Sequence, residues 1–127
     1  MLMQFGGSLI AILVLAGLAV LLKLGGKPVL KNDAAVALAA MEVEDGFDAK
    51  RVSISRDGSS ALARDEAGRI MVIKRHGNKF AGRVLTAAAT TREEVDALIV
   101  DAGEARFGVV RLSLSDASYW ADAINRL

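Results

Sequence analysis

Hydrophobic and polar positions along this chain fall into three regimes. From Phe5 to Leu24 the residues are apolar apart from Ser8 and Lys23. Twenty helical residues rise through roughly 30 Å, the thickness of the hydrocarbon core of a bilayer, so this stretch predicts a single transmembrane anchor over residues 1–24. Gly25, Gly26 and Pro28 then break the helix, because glycine weakens it and proline removes a backbone donor. Asn32 or Asp33 is placed to cap a second, short helix over Ala34–Val43, which ends before Asp45-Gly46 and completes a hinge-and-helix segment over residues 25–49. From residue 50 to the end the pattern changes to short β-prone runs.

Those runs are separated by turn dipeptides. "RVSIS", "ALARDE", "RIMVIKRH" and "KFAGRVL" are divided by Asp57-Gly58, Ala67-Gly68 and Gly77-Asn78, which suit tight hairpin turns and predict a four-strand antiparallel meander. After a looser "TAAATTR", the runs "VDALIVD" and "EARFGVVRLS" predict one further hairpin, six strands in all. Ala117, Trp120, Ala121, Ile124 and Leu127 recur at helical spacing behind a Ser115 or Asp116 cap. This predicts a C-terminal amphipathic helix whose apolar stripe, led by Trp120, covers one end or face of the sheet. The expected class is α+β: a membrane anchor, a short helix, a small antiparallel sheet or partly open barrel, and a terminal helix. The Ala34–Val43 helix fits equally as a packed element or as a spacer along the membrane.

Two other readings of the first segment fit it less well. A cleaved signal peptide needs a basic start and a small-x-small site soon after the apolar run, and neither is present. A buried core helix needs a domain large enough to enclose a segment that is apolar all round. Orientation follows from the flanks: no Lys or Arg precedes the run, whereas Lys23, Lys27 and Lys31 follow it. Basic residues are retained in the cytoplasm, which predicts a single-pass protein of the inner (cytoplasmic) membrane, N-terminus out and domain in the cytoplasm.

Charge changes the picture only locally. Sixteen Lys and Arg balance fifteen Asp and Glu, so the net field gives no reason to expect nucleic acid as a partner. The cations Arg69, Lys74, Arg75, Lys79 and Arg83 occupy one hairpin with no acidic residue among them, and Glu93, Glu94, Asp96, Asp101 and Glu104 occupy the next with no basic one. Either the two hairpins pair across neighbouring strands, or the basic one is a docking surface for anionic headgroups or an acidic partner.

Catalytic chemistry finds few materials. With no cysteine there is no thiolate nucleophile and no Cys-based metal site. His76 is the only histidine and its sequence neighbours are cations, so no metal and no cofactor are expected. Neither a G-x-S-x-G elbow nor a P-loop occurs. The expectation is a protein that is not an enzyme.

The order of elements from Arg51 to Leu127, a strand meander, a further hairpin and a terminal helix with a central Trp, resembles the pleckstrin-homology-like (PH-like) domain. Behind one N-terminal span it is similar to small bacterial single-span membrane proteins. The resemblance implies seven strands where six are counted, so that one lies before Arg51 or the barrel is incomplete. Lipid-binding members carry a basic cluster between their first two strands, where "SRDGSS" supplies only Arg56. An anchor, a compact module and no catalytic constellation together lead to the expectation of a membrane-anchored protein-interaction module, an accessory or scaffold subunit whose partners are the bilayer and another membrane protein. The alternative is a peripheral domain that binds anionic lipid at the inner leaflet.

Overall fold

The computed structural model describes residues 27–127; the expected anchor over residues 1–24 lies outside them. Among the described residues no helix is long and apolar enough to cross a membrane. The elements run α1 (Asp33–Val43), β1 (Ala49–Ile54), β2 (Ser60–Asp65), β3 (Ile70–His76), β4 (Lys79–Val84), β5 (Thr90–Glu94), β6 (Ala97–Asp101), β7 (Val109–Leu112) and α2 (Ala117–Asn125). Strands β1-β2-β3-β4 form one antiparallel sheet and β5-β6-β7 a second, each in sequence order. The class is α+β, and the two sheets do not close into a barrel.

The run Ile70-Met71-Val72-Ile73 is continuously apolar because β3 is buried on both faces. Ile70 and Val72, with Leu62 from β2, face the second sheet and meet Leu98, Val100, Val110 and Leu112. Met71 and Ile73, with Ala61 and Ala63, face the other way and meet Val36, Ala39 and Ala40 of α1 together with Phe47. Strand alternation therefore builds two cores on one sheet. Trp120 of α2 is fully buried in the core between the sheets, beside Ala121 and Ile124. Leu127, the last residue of the expected stripe, lies past the helix and is exposed.

Helix α1 settles against the sheet rather than standing off as a spacer. Asn32 Oδ1 caps it by accepting from the Ala35 amide at 2.9 Å. Val36, Ala39, Ala40 and Val43 form its inward stripe, and the small alanines let it approach closely. At Gly82 a Cβ would stand 2.9 Å from Val43 Cγ2 and 3.2 Å from the Val72 carbonyl oxygen, so only glycine leaves room where α1 crosses β4.

Seven strands replace the expected six. The added strand is β5, inside "TTREE", and does not lie before Arg51. It escapes the hydrophobic pattern because it is a charged edge strand, exposed at four of its five positions and paired only with β6. Its turn, Val95-Asp96, puts Asp96 at φ 54° and leaves Val95 exposed. The final run is shorter than expected: β7 begins at Val109, and the preceding residues form a loop. One corner between the sheets is stitched together, the Arg56 amide donating to the Ser113 carbonyl at 3.2 Å and the Ser113 amide to Ser55 Oγ at 3.0 Å.

Candidate interaction surfaces

Alternation along β3 and β4 divides the five cations of the basic hairpin between two faces. Arg69 turns toward α1: its Nε meets Asp65 Oδ2 at 2.6 Å and its guanidinium lies 5.3 Å from the Phe47 ring centre. Arg75 on the same side donates from Nε to the Pro28 carbonyl at 2.7 Å. Lys74 and Arg83 turn the other way and converge on Phe107, with Lys74 Nζ donating to its carbonyl and both cations over its ring at 4.4 and 5.1 Å. Arg83 Nε also meets Glu104 Oε2 at 2.7 Å, a bridge from β4 to the β6–β7 loop. Lys74, Arg75 and Lys79 form no ion pair among the described residues, and of the three only Lys79 makes no side-chain hydrogen bond there either. The two oppositely charged hairpins lie in different sheets, and Arg83–Glu104 is the ion pair that joins the first to the acidic segment.

Asp65 shows what these charges do locally. Burial works against its ionised form, yet the Arg69 side chain and amide outweigh it and hold the carboxyl below the ordinary aspartate range. At the preceding turn, between β1 and β2, the Ser59 hydroxyl, then the Ser59 amide, lowers Asp57. Both carboxylates organise hairpin turns.

A polar cluster under α2 was invisible in the sequence. Asp116 Oδ2 accepts from Ser53 Oγ at 2.6 Å and from Trp120 Nε1 at 3.2 Å, with Arg51 Nη2 at 3.6 Å. Arg51 stacks 3.5 Å over the Tyr119 ring, whose hydroxyl accepts from Arg64 Nη1 at 2.9 Å. The only hint in the chain was the i, i+4 spacing of Asp116 and Trp120. One carboxylate oxygen shared by a serine, an indole and a guanidinium locks α2 onto β1. The contact therefore positions the helix relative to the first strand.

Among the described residues, three exposed surfaces stand out. A groove of about 450 Å³ lies beside the β1–β2 turn, lined by Val29, Leu30, Lys31, Ser55, Arg56 and Asp57, and Lys31 and Arg56 form no ion pair among the described residues. The outer face of the three-stranded sheet carries Thr90, Arg92, Ile99, Asp101 and Val109 around a shallow hollow of about 260 Å³. Val109 is 57% exposed there, and Arg92 and Arg111 share Glu94 at its rim, where hydrogen bonding by Arg111 holds that carboxyl below its ordinary value. The third surface is the outer side of α1, where Leu38 is 60% and Met41 57% exposed.

His76 ends β3 at an exposed position opposite Lys79. Among the described residues no group of three or more His, Cys, Asp or Glu side chains could hold a metal ion. Compared with known proteins, the chain matches no protein-family profile, no characterised sequence and no solved structure.

Proposed function

We propose that this chain is a membrane-anchored protein-interaction module, not an enzyme, that serves as an accessory or scaffold subunit of a membrane protein complex. The observation that carries the reading is the uncovered outer face of the three-stranded sheet, with the exposed Val109 among the mixed charges of Arg92, Arg111 and Asp101. Half-apolar, charge-rimmed faces of this kind suit a protein surface better than a small molecule, because the hollow is shallow and its polar groups do not converge. The PH-like reading is supported by seven strands in sheets of four and three followed by a helix. Anchorage rests on the apolar run Phe5–Leu24 and its Lys flank, which also give the cytoplasmic placement of the domain.

The test is extraction of the full chain from its native membrane in mild detergent through a C-terminal tag. A stoichiometric membrane partner that is retained by the parent and lost from Val109→Lys is the expected result. Equal recovery from both would remove this face as the docking site.

A second reading, peripheral binding of anionic lipid at the inner leaflet, is favoured by the groove that holds Lys31 and Arg56, neither in an ion pair among the described residues, beside the chain's exit toward the anchor. It requires salt-sensitive binding of the full chain to anionic over neutral vesicles, and loss of that difference in Lys31→Gln/Arg56→Gln. Equal binding to both vesicle types counts against it.

A further inference from the structure

Helix α1 carries two apolar stripes on opposite sides, and the domain uses only one. Val36, Ala39, Ala40 and Val43, at i, i+3, i+4 and i+7, face the sheet. Ala34, Ala37, Leu38 and Met41 have the same spacing on the far side, where Leu38 and Met41 are exposed. A helix that is apolar on two sides is expected where it is covered on two sides.

The order of residues in the outer stripe says what covers it. About a two-fold axis midway between residues 37 and 38, an antiparallel second copy sets Ala34 opposite Met41 and Ala37 opposite Leu38. Small then meets large at every level, whereas a parallel pair would set Leu38 on Leu38 and Ala34 on Ala34. Charge runs the same way. Lys27 and Lys31 outweigh the single Asp33 at the start of α1, while Glu42, Glu44 and Asp45 close it with no cation, so antiparallel copies bring the net basic end of one helix to the acidic end of the other. A parallel pair would join like ends.

We infer that the outward stripe of α1 is a homotypic contact, in which two copies of this chain pair their α1 helices antiparallel. The inference rests on the proposed anchorage for its strength. Eleven helical residues extend only about 16 Å, so the stripe falls well short of the roughly 800 Å² per partner of a stable interface. Confinement to one bilayer supplies the missing effective concentration, and a two-fold axis along the membrane normal lets both chains enter the same leaflet.

Because the chain has no cysteine, engineered thiols report the geometry without background. The experiment uses full-length protein in neutral phosphatidylcholine vesicles at high lipid excess, with Ala34→Cys and Met41→Cys chains bearing different tags and mixed before mild oxidation. Mixed disulfides several-fold more abundant than either self-disulfide are expected. Adding Leu38→Glu to both chains should abolish them while leaving the thermal transition unmoved, since Leu38 packs on nothing in its own chain's core. Self-disulfides equal to or above the mixed product, or no disulfide in vesicles that carry the protein, overturn the pairing. Flotation of the vesicles reads the anchor separately. Should the chain fail to float, the same oxidation at raised protein concentration decides the pairing, and absence of the mixed product there overturns it too.

Discussion

The four-stranded sheet is covered on both faces and the three-stranded sheet on one. In the first, β2 and β3 send Leu62, Ile70 and Val72 toward the second sheet and Ala61, Ala63, Met71 and Ile73 toward α1. In the second, Leu98, Val100, Val110 and Leu112 face inward, while the outer positions keep Arg92, Asp101 and the exposed Val109 in solvent. The first sheet is committed to stability. The second, supported from behind by Trp120, leaves its outer side exposed among the described residues.

If that division is right, substitutions should rank by what they touch. Trp120→Ala removes the residue that both sheets share and should cost about 3–5 kcal/mol, read as an unfolding midpoint in urea; a cost below about 1 kcal/mol would mean the sheets hold together without it. Gly82→Ala puts a Cβ against Val43 and the Val72 carbonyl and should cost about 1–3 kcal/mol, strain confined to the covered outer face. Loss of α1 protection in amide exchange, with the second sheet unchanged, would localise it.

Acid gives a smaller, directional test. Asp65 has a lowered pKa in the folded state, so its share of stability is fully present above the unfolded value of about 4 and is lost as pH falls through the folded one. Asp65→Asn should flatten the stability profile in that window and leave it unchanged near neutrality relative to its own plateau. The smallest effect belongs to the open face: Val109→Lys should shift stability by no more than about 0.5 kcal/mol. A larger loss would show that this face is already spoken for within the chain.

The sequence made the covered sheet legible and the open one only partly so. Turn dipeptides located all three hairpin turns of the meander, and Gly58, Gly68 and Gly77 do adopt positive φ. Periodicity found α2 and its buried Trp120. Strand β5 was hidden because an edge strand bearing Thr90, Thr91, Arg92, Glu93 and Glu94 has no apolar alternation to read, and only its pairing with β6 makes it a strand. The basic hairpin is a cluster in the sequence, but alternation sends Arg69 and Arg75 to one side and Lys74 and Arg83 to the other. The Asp116 cluster joins residues 63 positions apart in the chain through Ser53, a distance at which no local pattern operates.

The segment before α1 has a mechanical consequence. Leu30 is buried, its amide donates to the Gly58 carbonyl at 2.8 Å, and Arg75 holds the Pro28 carbonyl, so the chain is riveted to the end of the four-stranded sheet before the helix begins. Tension arriving from upstream therefore loads β1, β2 and β3 first and reaches α1 only after those fastenings fail. Pulled from its N-terminal side in an optical trap, the domain should resist as one body and yield in a single rip, with Arg75→Ala lowering the force; a separate early release of α1 would show that the rivet does not bear load.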